Sequence, residues 1–335
     1  MRTAVTGSIA TDHQMVFPGR FTTGFPPDRP AGTTLSMVVD SLDVRPGGDA
    51  ANIAFGLGAL GHRPALVGAV GTDFGEYRGW LERHGVDTSW LRVSLTRSTA
   101  RTLSTVDEHG NSIVSLYPGA LAEAHAIELS AVPGVDLVMI APGDARAMLA
   151  HAAECRRLGQ RVAVDPAPLH GTLTGDQLRT LVDGADHVFT NGRDADVLLD
   201  AVGWSRAELL ARIGTWVETL GADGVRLESS GAAPVMVPAV PDRVEVDRQG
   251  VADAFRAGYL AGLGWRLPSL RAAQVGCLLA ALALESRGAQ EYRFDPDMFL
   301  KRLDEAYGPD AALEVEHKLE PARPSDVDTA RRYHR

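Results

Sequence analysis

Lysine is nearly absent: across 335 residues only Lys301 and Lys318 occur, so arginine carries almost all the positive charge. The 33 Lys and Arg against 43 Asp and Glu leave a formal net charge of -10. Phosphate backbones are gripped by clustered cations, so this balance argues against nucleic acid as a partner and for a small molecule. Cys155 and Cys277 are too few and too far apart for a disulfide framework or a cysteine metal cage, which fits a reducing cytoplasm. Long apolar runs are missing too. The most apolar stretch, "VGCLLAALALE" (275–285), is about half of the roughly 20 residues a membrane span needs. The start, "MRTAVTGSIATDH", has no basic segment leading into an apolar one, so neither membrane anchoring nor export is expected. There is no G-x-x-x-x-G-K-[ST], no G-x-S-x-G and no H-E-x-x-H, which leaves the P-loop fold, the α/β-hydrolase and the zincin without their residues.

What is present is an alternation of two periods in a chain that is 45% hydrophobic, enough for one large core or one core with an appendage. "ALVGAV" (65–70), "DLVMIAP" (136–142), "RVAVDP" (161–166) and "HVFTN" (187–191) read as buried strands bounded by Gly, Pro, Asn or Asp. Between them lie helical patterns such as "DARAMLAHAAECRRLG" (144–159), which ends on a glycine. Strand alternating with helix predicts an α/β fold with a mostly parallel sheet covered on both faces. Residues 15–46 and 99–117 break the rhythm with strand-like patterns, the second reading as two strands around "EHGN". They are expected to pair into a small β-sheet lid over the carboxyl ends of the main strands, leaving 1–14, 47–98 and 118–315 as the core and 316–335 as a charged tail. The alternative for the two insertions is a pair of unrelated surface hairpins.

The chemistry concentrates in "DRQGVADAF" (247–255), a glycine turn that opens a helix and contains an aspartate. The backbone amides of residues 250–253 would stand at a helix amino terminus, where unpaired N–H groups and the helix dipole attract an anion. A carboxylate there repels an anion and so makes little sense as a binder. Asp253 reads instead as a base that takes a proton from an attacking hydroxyl, with a plain N-cap as the alternative.

Two stretches, "GGDAANIAFGLGALGHRPALVGAVGTDFG" (47–75) and "DRQGVADAFRAGYL" (247–260), resemble the two signatures of the PfkB, or ribokinase-like, carbohydrate and nucleoside kinases. The likeness covers roughly residues 1–310 in the right order, and "AVTGSIATDH", "FPGRF", "STAR", "YPGA", "ECRRLG" and "LESRGAQEY" are similar to actinobacterial adenosine kinases. The resemblance implies a ribokinase-like fold and ATP- and Mg2+-dependent phosphorylation of a nucleoside. It also implies residue roles. Asp12, at the end of the first strand, with Gly47, Gly48 and Asn52, would hold the sugar hydroxyls. Thr219, Gly221 and Gly224 in "TLGADG" would bind ATP, and Asn191 with Asp194 would order Mg2+ through water. Gly250, Val251, Ala252 and Asp253 would form the anion hole and base, while Thr102 and Leu116 occupy the lid positions that face the nucleobase. Each glycine or Asn match also has an ordinary reading, as a turn glycine or a helix cap.

The chain departs from the family turn D-T-x-G-A-G-D at Arg248, Gln249 and Ala252, and from N-x-x-E at Asp194. A positive φ at Ala252 would cost about 1–2 kcal/mol and tilt an amide away from phosphate. Arg248 would in return add a cation near the transferring group. Thr102 and Leu116 replace the aromatic pair that the resemblance implies, removing stacking worth about 1–3 kcal/mol per contact. Three functions follow: a kinase acting on the 5'-hydroxyl of adenosine or an analogue, a kinase-derived enzyme that dephosphorylates a nucleoside 5'-monophosphate, and a non-catalytic nucleoside-binding protein. A monovalent cation near Asp247 and Ala289 and a homodimer through the lid are further expectations.

Overall fold

The computed structural model describes residues 1–24, 36–167, 173–241 and 243–319. Within them the strands are β1 (Thr3–Thr6), β2 (Ala10–Val16), β3 (Ser41–Gly47), β4 (Ala65–Gly71), β5 (Leu91–Ser94), β6 (Ala100–Val106), β7 (Ser112–Tyr117), β8 (Leu137–Ile140), β9 (Arg161–Val164), β10 (His187–Asn191), β11 (Thr215–Thr219), β12 (Val225–Glu228) and β13 (Val235–Val237). Nine of them form one sheet in the order β13-β12-β11-β10-β9-β8-β1-β4-β5. It is parallel from β11 to β5, and β12 and β13 run antiparallel at one edge. The expected α/β architecture with a mostly parallel sheet is therefore present.

Alternation along the central strands divides the interior in two. Val5 of β1 joins a core with helices Asp49–Ala59, Val251–Gly264 and Ser269–Leu284, while neighbouring Ala4 faces a second core under Ala145–Leu158, Gly175–Val182 and Gly192–Val202. Successive side chains on a strand point to opposite faces, so one apolar strand serves both layers. Helix Ala145–Leu158 shows how local chemistry sets an element's ends. Asp144 accepts from the Ala147 amide at one end, and Gly159 turns left-handed at the other.

The second sheet has the order β3-β2-β6-β7. Its central pair, β2 and β6, is parallel, with Asp12 beside Thr102, and β3 and β7 add antiparallel on either side. The two insertions thus pair with each other. The small sheet begins at Ala10, earlier than the expected 15, and β3 carries it to Gly47. Asp12 therefore lies on β2 of this sheet and not at the end of the first strand, which stops at Thr6. "ATDHQMV" has no clean apolar alternation, which is why its strand was hidden. The strand expected from "TTLSMVVDSLDV" is confined to Ser41 onward, and its residues 33–35 fall outside the described residues. Of the expected tail, 316–319 belong to helix Pro309–Leu319, whose Leu319 is fully buried, and 320–335 fall outside the described residues.

Candidate active site

β1 lies between β8 and β4, so successive connections leave it in opposite directions. Such a switch point opens a crevice at the carboxyl ends of the strands, and the expected site residues gather there. Ser8 follows β1 and its hydroxyl donates to Asp49 at 2.7 Å, which anchors the start of helix Asp49–Ala59. Gly48 precedes that helix with φ 93°, and a Cβ there would lie 2.7 Å from the Ser8 carbonyl and the Ala10 amide. At Gly47 a Cβ would run into the Asp12 carboxylate, so this glycine makes room for the acid.

Gly250 caps helix Val251–Gly264 in a left-handed conformation, φ 73°, and among the described residues no side-chain cap bonds to the helix start. A Cβ on Gly250 would collide with Ala289, so both conformation and space require glycine here. The positive φ belongs to Gly250 alone in this turn: Ala252 is an exposed residue of regular helix, and the expected strain at that position does not exist. Asp253 is the third helical residue and does not cap. Its side chain is buried, at 6% exposure, and accepts from Asn52 Nδ2 at 2.9 Å and Arg256 Nη1 at 3.4 Å. Burial first, and then the charge of Asp49, push the Asp253 carboxyl well above the ordinary aspartate range. A carboxyl so raised is a stronger base than an ordinary aspartate.

Arg248 does not approach this point. Its side chain is 80% exposed and paired with Glu245 at 2.5 Å on the outer surface, so the expected cation beside the transferring group is absent. The cation at the site is Arg256, buried between Asp253 and Asp165, with which it forms a close ion pair. Sequence reading missed both residues, although the Asp253–Arg256 spacing is that of helical neighbours.

A polar chain holds the acid from behind. Gln290 Nε2 donates to Asn52 Oδ1 at 2.8 Å and to the Tyr77 hydroxyl at 2.6 Å, and that hydroxyl donates to the Gly47 carbonyl at 2.9 Å. Buried polar groups so matched fix one geometry. Nothing in local pattern marks Gln290, because its role exists only once the loop after helix Ser269–Leu284 meets helix Asp49–Ala59.

On the lid, Asp12 is bonded by the Gln249 side chain and by Thr102. Burial, opposed by Thr102, raises its pKa from 3.8 to about 6. Leu116 stands across β6–β7 from Thr102 and is 64% exposed, so these two lid positions carry no aromatic ring and Leu116 is open to solvent. At the far end of the crevice Asn191 caps helix Gly192–Val202 by accepting from the Asp194 amide at 2.8 Å, and its own amide donates to the Asp194 carboxylate at 2.6 Å. Thr219 ends β11, and Gly221 and Gly224, both with positive φ, turn the chain into β12. A Cβ on Gly224 would strike the Val237 carbonyl.

No three acidic, His or Cys side chains among the described residues converge to cage a metal. Asp49, Asp165 and Asp253 nevertheless leave one arginine to balance three carboxylates, and this excess negative charge suits Mg2+, which keeps several waters and takes much of its coordination from phosphate. A helix start whose glycine cap brings no side chain suits phosphate in the same way.

A mostly parallel sheet, a four-stranded lid and a glycine-opened helix start beside a buried carboxylate define a ribokinase-like phosphotransferase architecture. The chain belongs to the pfkB family carbohydrate kinases, whose profile matches residues 11–295. It is 28% identical over 267 residues to a nucleoside kinase of Methanothermobacter thermautotrophicus, covering 78% of this chain and 85% of that one. Its structure is similar to that of Burkholderia thailandensis nucleoside kinase in complex with inosine, with TM-score 0.82, 27% identity and coverage of 91% and 98%. The same kinase in complex with ADP-inosine gives TM-score 0.80 at 28% identity.

Proposed function

We propose that this chain transfers the terminal phosphoryl group of ATP to the 5'-hydroxyl of a nucleoside. The observation that carries the reading is the placement of Asp253: a buried carboxylate held by Asn52, in the first turn of an uncapped helix whose entry residue is the left-handed Gly250. Asp12, Gly47, Gly48 and Asn52 bind the sugar. Asp253 takes the hydroxyl proton as the oxygen attacks phosphorus and the bond to the leaving ADP oxygen breaks. The amides of Gly250, Val251, Ala252 and Asp253 hold the charge that develops, and Arg256 keeps Asp253 oriented. Thr219, Gly221 and Gly224 would hold the nucleotide, and Asn191 and Asp194 would hold Mg2+. When bound there, that ion would supply charge neutralisation at the phosphates.

The non-aromatic lid positions Thr102 and Leu116 favour a binding mode that tolerates more than one base over an aromatic clamp specific for adenine. The relatives named nucleoside kinases and the inosine complexes support a nucleoside as the substrate. Dephosphorylation of a monophosphate drew its motive from residues 194, 248, 249 and 252. Arg248 faces outward and Ala252 is regular helix, which removes two of those four. Pairing of two lids into a homodimer is part of the reading, since β3 and β7 present exposed Leu42, Val44, Val114 and Leu116. Monovalent-cation activation belongs to the loops of Asp247 and Ala289, and is tested by exchanging K+ for Na+ in the assay.

A panel of nucleosides incubated with ATP and Mg2+ tests the whole. The expected result is ADP and nucleoside 5'-monophosphate in equal amounts for purine ribonucleosides. Free nucleoside released from a monophosphate would favour the reverse activity. Binding without turnover across the panel would leave a non-catalytic role.

A further inference from the structure

The side chain of Gln249 crosses from the turn of the expected anion hole to the lid, where its amide nitrogen donates to Asp12 Oδ2. Its backbone is fixed at both sides. The Gln249 amide donates to Asp247 Oδ1 at 3.0 Å, while Asp247 Oδ2 accepts from Gly288 at 2.9 Å. The next residue is Gly250, at the helix start. Asp12 is in turn held by Thr102 and by the space that Gly47 leaves. One amide nitrogen therefore joins the turn before helix Val251–Gly264 to β2 of the small sheet. Among the described residues the carboxamide oxygen of Gln249 takes no hydrogen bond, which leaves an acceptor free beside a carboxylate that is itself an acceptor.

We propose that Gln249 is a specificity-determining residue that reads the sugar: the Gln249 carboxamide and the Asp12 carboxylate form one continuous acceptor edge for the vicinal hydroxyls of a ribofuranosyl ring. This rests on the nucleoside-kinase reading above. Gln249 lies on the turn that faces the reacting end, so it takes the hydroxyl on the ring carbon nearer the 5' position, the 3'-hydroxyl. Asp12 takes the 2'-hydroxyl. The hydrogen bond from Gln249 to Asp12 keeps the two acceptors in register without a charge between them. A 3'-deoxynucleoside leaves the Gln249 oxygen without that partner, and sites that bond a hydroxyl reject analogues lacking it far more strongly than apolar pockets reject a missing methylene.

The test compares wild type and Gln249→Ala on a purine ribonucleoside and on its 2'-deoxy and 3'-deoxy forms, by kcat/KM, with affinities measured by calorimetry in parallel. Thermal melts first establish that both proteins are folded. The expected result is that Gln249→Ala weakens the ribonucleoside about tenfold, changes the 3'-deoxy form less than about threefold, and so lowers the preference for a 3'-hydroxyl selectively; the 2'-hydroxyl preference, held by Asp12, persists. An equal loss on all three substrates assigns Gln249 a merely structural role and overturns the proposal, as does no change at all. If turnover vanishes in the variant, the affinity ratios of the three ligands decide by the same criteria. A wild-type protein that neither binds nor phosphorylates any nucleoside removes the underlying function instead, an outcome distinct from a wild type that is active with an indifferent Gln249.

Discussion

At the residue scale, Asp12 combines a cost in stability with its proposed use in binding. Its carboxyl titrates near pH 6 in the folded chain against an ordinary 3.8, because burial disfavours the ion. A carboxyl whose folded pKa is raised contributes stability that is fully present below about pH 3.8 and is lost as pH rises through about 6. Asp12→Asn is neutral throughout and escapes that loss. The variant is expected to melt higher than wild type at pH 8, by roughly 1–3 kcal/mol of stability, and to show no such advantage at pH 4. Its nucleoside affinity is expected to fall, since a carboxamide offers one acceptor oxygen where the carboxylate offers two. Melts at both pH values, with calorimetry at pH 8, check the two halves. Arg256 illustrates what a sequence hides at this scale: its place between Asp165 and Asp253 depends on β9 and helix Val251–Gly264 meeting in space, and no motif spans that distance.

At the scale of elements, the helix that carries the expected base is seated by close contact with a second helix. A Cβ on Gly258 would stand 2.7 Å from the Gly276 Cα and 2.8 Å from the Val275 carbonyl, and Gly262 meets Ala272 in the same way. Backbone cannot yield as a side-chain tip does. Gly258→Ala is therefore expected to destabilise the chain by about 1–3 kcal/mol, visible as a lower Tm in thermal denaturation. It is also expected to reduce kcat, because a shift of helix Val251–Gly264 moves Asp253 and the Gly250 turn together. The elements themselves were legible where hydrophobic period was strong. The apolar runs of β4, β8, β9 and β10 and the helix ending at Gly159 stand within a few residues of their expected limits. β2 was not legible, since its sequence ATDHQMV mixes polar and half-buried side chains without an apolar alternation.

At the scale of the whole molecule, the sheet, its two helical layers and the lid bring residues from positions 8 to 290 into one crevice. Pattern showed the layers and resemblance showed the motif residues. The supporting chain of Gln290, Tyr77 and Asn52 needed the assembled fold, because its members come from three segments far apart in sequence. A crevice built from so many segments couples ligand binding to folding. Saturating nucleoside at about 100 times its Kd is expected to add about 2.7 kcal/mol to the stability of the wild type, read as a rise in Tm. The account's central claim is that Asp253 removes the proton from the attacking hydroxyl. The most direct measurement is the rate of nucleoside 5'-monophosphate formation from inosine, ATP and Mg2+, followed by mass spectrometry for wild type and Asp253→Asn with inosine affinity measured on both. The account predicts a rate lower by a factor of about 100 to 10,000 in the variant with affinity within a fewfold of wild type; an undiminished rate in Asp253→Asn would contradict it.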